Sequence, residues 1–426
     1  LPENVTFIGA GAFENCVRLG GIRLPDGVTE MGTGAFRGCS VLAFANIPAS
    51  LTLVSESLFE GCSALASEIV IPACVTQIGI SAFSGCTLLP AVTFAEGSVL
   101  QTVNLYAFQD CTSLTSMAFP ESTQSLYWSM QGCTSIQSLV FPYVTAPTAI
   151  WNGELPESLT EVTVIGSSMI SENAFRDCIY IKTICIGADV PELNYWAFWG
   201  CTGITTIEYM GDLAGWLTLP GATYLMENAP SKTDRSLFVG GKEVAGEVVI
   251  PQSVTTVPAY IFAYCTKITS VVFHNDVEEI QESALAGCSS VVSLSLPFAG
   301  GTQDAQIGIW QILRDARYEG SYEQNIRTIR LTGYTYEQKK VPVLSNLPSL
   351  ENLYIGSGFS VLGDGAVVSC DLLKNVYLIP GLKKIESNAF VRCPSLTSLN
   401  FNGTREEWEA IEGWAQIEEK YTVVFV

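Results

Sequence analysis

Fourteen cysteines and a single histidine are the residues with which this chain could do covalent or metal chemistry. A thiolate beside an imidazole makes a nucleophile, paired thiols oxidise to disulfides, and clustered thiols hold zinc. Each use demands its own spacing. No zinc-type C-x-x-C pair is present. Instead Cys16, Cys39, Cys62, Cys86, Cys111 and Cys133 follow one another at 23, 23, 24, 25 and 22 residues. Cys178 and Cys201, Cys265 and Cys288, and Cys370 and Cys393 are each 23 apart. Regular intervals of this size belong to a structural repeat and not to a catalytic cluster. His274 lies nine residues after Cys265, at a turn position, so Cys265 is expected to point inward and His274 outward, and no Cys-His dyad is predicted. Gly-x-Ser-x-Gly, P-loop and His-Glu-x-x-His motifs are absent. The chain reads as a non-enzyme that needs no cofactor and no metal. Asp276, Glu278 and Glu279 lack the spaced oxygen ligands of a calcium loop and read as a solvated turn.

Around each cysteine lies a common frame: Ala-Phe three to four residues before, Leu three after, aliphatics six and eight after, and often Pro nine after. Ala12-Phe13, Cys16, Leu19, Ile22, Leu24 and Pro25 are one instance. The frame also finds four coils without a cysteine, starting near Pro156, Lys242, Glu323 and Leu347, which brings the count to sixteen. Aliphatics at +6 and +8 suit a short strand with both residues on one face. The proline then ends it in a turn. A coil of about 23 residues cannot bury its own apolar face, whereas stacked coils share a continuous core. The expected fold is an α/β-type repeat solenoid, a leucine-rich-repeat right-handed curved rod of about 16 coils with one short parallel strand per coil. At a strand spacing of about 4.8 Å the stack would run roughly 75 Å.

Composition agrees. The 426 residues are 48% hydrophobic and only 15% charged, so much of each short segment must be buried. No apolar run approaches the length of a membrane-spanning helix. A net charge of −21, with Lys and Arg scattered, argues against nucleic acid and anionic lipid as partners. Leu1 opens the chain without Met or a signal-like stretch, so an exported protein is expected to be represented here in processed form. Because Leu1 enters mid-coil, the apolar end of the stack at Phe13 and Leu19 would face water unless something covers it.

Two intervals are too long for one coil and define the organisation. The array is expected over 1–210, 242–298 and 323–402, with insertions at 211–241 and 299–322 and a cap-like element at 403–426, all one continuous solenoid. The first insertion, from Tyr209-Met210-Gly211-Asp212 to Trp216, repeats the spacing of Phe401-Asn402-Gly403-Thr404 to Trp408, so the two are copies of one element. A helix around Trp408, with Trp408, Ile411 and Trp414 on one face, and a strand from Tyr421 to Val426 are predicted. Successive cysteines in the ladder should have parallel Cβ vectors, poor for disulfides, so they are read as buried free thiols. Cys74 and Cys185 fall outside the ladder. Cys185, at +7, is expected to point outward and to be either a structurally neutral surface cysteine or the more reactive thiol.

The frame resembles the BspA-like (bacterial surface protein A-like) leucine-rich repeats: Ile8-Gly9, Ala12-Phe13, Cys16, Leu19, Ile22 and Leu24-Pro25 follow its pattern, and Ile78-Gly79, Ala82-Phe83 and Cys86 do so again. The resemblance covers nearly the whole chain apart from the insertions. It departs at Met130, Leu285 and Val367, which replace the Phe, and at Asn152-Gly153, which replace Ala-Phe. The resemblance implies a secreted or cell-surface bacterial protein that adheres to a macromolecular partner, either a protein such as a host extracellular protein or a surface glycan. A spacer of the cell envelope that presents a neighbouring domain is the alternative.

Two surfaces could carry such binding. The outward row of the repeat strands, at +7 in most coils, runs Arg23, Asn46, Val70, Thr93, Ala118, Val140, Thr163, Cys185, Glu208, Val249, Val272, Ser295, Arg330, Tyr354, Leu378 and Asn400. Its Val70, Val140, Val249, Val272 and Leu378, with Thr93 and Thr163 between them, make a mildly sticky sheet face suited to a protein, although β-propensity alone also places Val on strands. The second row, two residues before the Phe, reads Gly11, Gly34, Ser57, Ser81, then Tyr106, Trp128, Trp151, Asn173 and Trp196. Stacked rings there could form a stripe for sugars or an apolar partner, with Trp199 beside it, or could simply pack on one another.

Overall fold

The computed structural model describes residues 1–142, 147–151, 153, 155–227, 234–302, 307–317, 325–333 and 339–426. Asn152, Glu323 and part of each insertion lie outside these. The chain is a parallel-strand solenoid of about 17 turns with few helices. It divides into two compact units, one of the described residues in 1–211 and the other of those in 212–426.

In the first unit the +6 to +8 residues form the expected strands. Ile69–Ile71 pairs with Val92–Phe94, and a continuous parallel run joins Ser116–Ala118, Ser138–Pro142, Glu161–Ile165, Thr183–Ile186 and Thr206–Tyr209. Alternation puts Ile69, Ile71, Leu139, Val162, Ile184 and Ile207 in the core. Several coils carry a second, two-residue strand: Phe7–Ile8 pairs with Glu30–Met31, and Leu53–Val54, Gln77–Ile78 and Thr102–Val103 pair in turn. Each of these buries one aliphatic, such as Met31 or Ile78.

The Ala-Phe-x-x-Cys stretch closes the coil, and its backbone explains the frame. Residues two before and two after the Phe adopt left-handed φ: Gly34 (63°) and Gly38 (69°) flank Phe36, and Tyr106 (60°) and Asp110 (56°) flank Phe108. This alternation turns every second N–H toward the next coil. Gly34, Phe36 and Gly38 donate to the carbonyls of Glu56, Leu58 and Glu60 at 2.7–2.9 Å, while Ala35, Arg37 and Cys39 donate locally, three residues back. A Cβ on Gly38 would lie 2.2 Å from Asn15 Oδ1, so a larger residue there would have to displace that side chain.

Inside this backbone ladder the phenylalanines form a column. Phe13, Phe36, Phe59, Phe83 and Phe108 stack face to face at 5.1–5.6 Å. A fully buried side chain of this size contributes about 1.5–3 kcal/mol. Fixing backbone costs about 1–2 kcal/mol per residue, so a coil gains stability only from its neighbours. Where residues 152–153 replace Ala-Phe, the helix Pro147–Trp151 takes over: the Ala149 and Ile150 carbonyls accept the N–H groups of Trp128 and Met130 at 2.8 and 3.1 Å.

The second unit repeats the plan around its insertions. Gly246–Val249, Ile268–Val272, Ser293–Leu296, Thr328–Leu331, Asn352–Ile355, Asn375–Leu378 and Ser398–Phe401 pair in parallel. Thr422–Phe425 adds one more strand to this sheet. An antiparallel hairpin, Ser236–Val239 with Lys242–Glu243, turns on the left-handed pair Gly240 and Gly241.

The Trp216 and Trp408 elements are built alike. Asp212 caps Leu213–Thr218 by accepting the Gly215 N–H at 2.7 Å, and Thr404 caps Arg405–Glu409 in a reciprocal box with Glu407. Both tryptophans are fully buried. Ile411 is buried too, whereas Trp414 opens a second short helix, Trp414–Glu418, and is only half-buried. In the other insertion the helix Ile309–Leu313 completes the coil of Leu285, accepting the Ser283 and Leu285 N–H groups on Gln311 and Ile312 at 2.8 Å.

Candidate functional site

The cysteine ladder has a chemical role that its spacing alone does not reveal. Cys62 Sγ lies 3.1 Å from the Phe36 carbonyl of the preceding coil, and Cys39, Cys86, Cys111, Cys133, Cys201 and Cys288 repeat the contact at 2.8–3.2 Å. That carbonyl already accepts the Cys39 N–H of its own coil, so the thiol S–H occupies its second lone pair. Alanine or leucine could fill the space but not donate. All fourteen thiols are free. Burial pushes Cys62, Cys133 and Cys265 up to about 12, the direction that disarms a nucleophile.

His274 is a fastener of its turn. Its Nε2 lies 3.0 Å from the carbonyls of both Pro251 and Val254, and its Nδ1 accepts the Asp276 N–H at 3.2 Å, which fixes the Nε2–H tautomer. Cys265 is buried on the other side of the coil wall, as its inward position predicts. Among the described residues no group of three or more His, Cys, Asp or Glu side chains is placed to hold a metal ion. The carboxylates of Asp276 and Glu279 are taken by Gln252 and Gln281.

The outward row is held in register in two separate runs, one pairing Val70 with Thr93 and the other pairing Ala118, Val140, Thr163, Cys185 and Glu208 in series. Its surface is uneven. Val70 is 51% exposed and Thr93 is exposed, with its hydroxyl on Glu68 at 2.7 Å, while Val140 is half-buried. Thr163 and Cys185 are only 7% and 5% exposed. The expectation of a surface or reactive Cys185 is therefore corrected. Its larger neighbours on adjacent strands shield it, and burial pushes its thiol up to about 11, opposed by the Thr163 hydroxyl and reinforced by the Glu208 carboxylate.

In the second unit the row reads Val249, Val272, Ser295, Arg330, Tyr354, Tyr377 and Asn400. Val249 is 56% exposed and Val272 half-buried. Leu378 does not belong to the row: it pairs with Ile355 and Phe401 and is fully buried. Pro380 stands one residue later than the frame's proline, so counting back from it lands on the inward face, since a slip of one residue inverts a strand's sides. Tyr377 is the outward residue that this slip hid.

The aromatic row is broken into two clusters. Tyr106 and Trp128 lie 6.3 Å apart, and Tyr127, which the row omits, stacks on Trp128 at 5.1 Å. Trp151 is nearly fully buried at the end of its helix, because the chain there is helical and not left-handed. Trp196 packs tilted on Tyr195 at 5.5 Å, and both are exposed together with Trp199. The repeated Tyr-Trp doublet, Tyr127-Trp128 and Tyr195-Trp196, was the sequence signal for these clusters. Tyr106 and Trp128 also hold left-handed φ values of 60° and 52°, the conformation that Gly11 and Gly34 take in earlier coils. Such a backbone costs a residue with a side chain about 1–2 kcal/mol.

Comparison with known proteins follows the same repeat. A sequence model of the BspA type leucine rich repeat region matches residues 1–68, 65–150, 156–214, 236–302 and 321–410. No curated protein is similar enough in sequence to count as a match. Among solved structures, a leucine-rich repeat protein from Bacteroides ovatus is 20% identical, over 99% of this chain and 88% of that one, with a TM-score of 0.29. A leucine rich cell surface protein from Faecalibacterium prausnitzii is 21% identical, over 96% and 86%, with a TM-score of 0.25. The pneumococcal vaccine antigen PcpA is 14% identical, over 99% and 85%, with a TM-score of 0.31.

Proposed function

The chain belongs to the BspA type leucine rich repeat family, and from that premise we propose that it is a non-enzymatic binding protein of the bacterial surface that recognises a protein partner through its outward sheet faces. Proteins of this repeat type commonly bind partners at the cell surface. The observation that carries the reading is the exposure, more than half in each case, of Val70 on a register-held row of the first unit and of Val249 on another of the second. A strand that needed Val only for its β-propensity gains nothing from leaving it in water. The buried thiols and the turn-bound His274 support a role without catalysis. Displaying the chain on a non-adherent bacterium tests the proposal, with attachment to immobilised extracellular-matrix proteins and host cells as the readout. Attachment is expected, and it should fall in the Val70→Glu and Val249→Glu variants while their far-UV spectra stay unchanged. Attachment that is absent, or that both variants keep in full, rejects it.

A second reading is favoured by one specific feature, the Tyr127-Trp128 and Tyr195-Trp196 doublets, in which Trp128 is half-buried and Tyr127, Tyr195 and Trp196 are exposed, as is Trp199. Exposed aromatic faces accept the apolar faces of sugars. A glycan array probed with the wild type and with Trp128→Ala and Trp196→Ala decides it. Signals that persist in both variants remove the aromatic clusters from consideration.

A further inference from the structure

On the sheet of the second unit, pairing sets Thr328, Asn352, Asn375 and Ser398 in one outward row and Arg330, Tyr354, Tyr377 and Asn400 in the next. The alternate residues Ile329, Leu353, Val376 and Leu399 are fully buried. The second of these rows is pre-assembled. The Arg330 guanidinium lies 3.8 Å from the centroid of the Tyr354 ring, and Tyr354 stacks on Tyr377 at 4.4 Å with the rings 6° from parallel. Beside it Asn375 Nδ2 donates to Asn352 Oδ1 at 2.8 Å.

Charge sets this face apart from the rest of the chain. Arg327 and Lys374, at the entry to two of these strands, are exposed like Arg330. The basic residues that form ion pairs in this unit are Lys267, Arg314, Arg317, Lys384 and Arg405, so among the described residues these three cations have no ion-pair partner. Glu351 is the one carboxylate between Arg327 and Lys374 at the strand entries. In a chain of net charge −21, three cations around a single carboxylate leave this part of the sheet locally positive and call for an acidic occupant.

Ring geometry then separates protein from glycan. Both faces of Tyr354 are covered, one by Arg330 and one by Tyr377, so no free face of that ring remains for a sugar to lie on. What the column offers is ring edge, phenol hydroxyl and guanidinium N–H. Arg and Tyr are the side chains that dominate protein hot spots, and a stacked guanidinium takes a carboxylate bidentately with little rotamer freedom left to lose. We propose that this face binds an acidic segment of a protein partner, with Arg330 on a carboxylate, Tyr354 and Tyr377 as rigid anchors, and the Asn352 and Asn375 amides on its main chain. This rests on the sheet-face reading above and narrows it to one centre and one partner chemistry.

The probe is a random short-peptide library panned on the full chain, followed by titration of the most enriched synthetic peptide. Enrichment of Asp and Glu is expected. Arg330→Glu should weaken that peptide by about ten- to a hundredfold, Lys374→Glu by a smaller factor with the stacked column left intact, and the charge-matched Arg18→Glu, exposed in the first unit, not at all. Far-UV spectra should not change. Enriched peptides without acidic residues, or an affinity indifferent to both Arg330→Glu and Lys374→Glu, would overturn the proposal. So would sulfated or carboxylated oligosaccharides that bind through Arg330 where no peptide does. If host-cell attachment survives Arg330→Glu and falls with Val70→Glu, the sheet-face reading stands and this centre is wrong; if attachment is absent altogether, it is that reading which fails.

Discussion

The first unit and the second solve the same problem with different chemistry. In the first, the Ala-Phe-x-x-Cys frame recurs in coil after coil, and identical residues on successive turns fasten one another: Phe on Phe, thiol on carbonyl, N–H on carbonyl. In the second the frame lapses at Leu285 and Val367, as it does in the first at Met130 and residues 152–153, and beside the recurring thiol contact of Cys288 specific polar side chains add to the fastening. Tyr264 donates to Asp315 Oδ2 at 2.6 Å, and Arg317 grips the same carboxylate at 2.7 Å. Arg317 also donates to the Glu227 carbonyl and lies 5.0 Å from the Tyr260 ring, so it ties the end of one insertion to the end of the other. A repeating unit distributes its stability over many equal contacts, whereas an interrupted one concentrates it in a few.

The comparison is broken most severely by emptying one rung of the column. Phe36→Ala should cost about 3–5 kcal/mol in urea unfolding, because the rings of Phe13 and Phe59 hold the cavity open on both sides. Loss of a single cooperative transition is also expected, as in other repeat arrays. A small loss with unchanged cooperativity would show that the column is not the spine of the unit.

In the second unit the matching blow is electrostatic. Asp315→Ala should destabilise by about 1.5–3 kcal/mol, the range for hydrogen bonds to a charged group. The pH dependence has a definite sign. Burial opposes ionisation of Asp315, but hydrogen bonds from Arg317 and Tyr264 outweigh it and hold the carboxyl below the usual aspartate range. Its native value is lower than its unfolded value, so its contribution is complete above the unfolded value and fades as pH falls through the native one. Acid unfolding of the Asp315→Asn variant should accordingly lose part of its pH dependence. If the variant keeps the wild-type acid profile, the Asp315–Arg317 pair is not what ties the insertions.

Thiol chemistry sharpens the contrast within the ladder itself. Cys62→Ala should cost about 1–2 kcal/mol, from the lost sulfur volume and the unfilled lone pair on the Phe36 carbonyl. Cys393 is the exception: the Cys370 thiol donates to it and draws it down to about 7, and it is half-buried where Cys370 is fully buried. Native-state iodoacetamide labelling at neutral pH, read by mass spectrometry, should modify Cys393 well before Cys62, Cys86 or Cys111. Equal labelling of all four would mean that the ladder opens far more readily than its packing allows.

These differences mark where the sequence could and could not be read. Cysteine spacing fixes the period, and the +7 position finds most of the outward row because strand alternation is local and strict, although after Cys62 the outward residue is Val70 at +8. The Leu378 slip came from trusting a proline that had moved by one. The Cys-to-Phe carbonyl contact joins residues 26 apart in most coils and looks like hydrophobic packing until the carbonyl's direction is known. The Arg317 contact with Glu227 spans 90 residues of chain and leaves no periodic trace. Nor could a row of Gly, Ser, Asn, Tyr and Trp declare that most of its members, though neither Trp151 nor Trp196, share a left-handed φ and not a surface.

That last point yields the smallest expected effect and a discriminating one. Replacing Trp128 by Gly should relieve about 1–2 kcal/mol of backbone strain at φ 52°. Removing its stacking on Tyr127 and its contact with Tyr106 should forfeit about 0.5–1.5 kcal/mol each way it is counted. The two nearly cancel, so the unfolding midpoint of Trp128→Gly should sit close to the wild type, while Trp128→Ala, which keeps the strain and loses the rings, should fall below it. A tryptophan that contributes almost nothing to stability where glycine serves the earlier coils has to be explained by what the accessible part of its half-buried ring touches. If Trp128→Gly instead unfolds as easily as Trp128→Ala, the ring is there for packing, and the glycan reading loses its best residue.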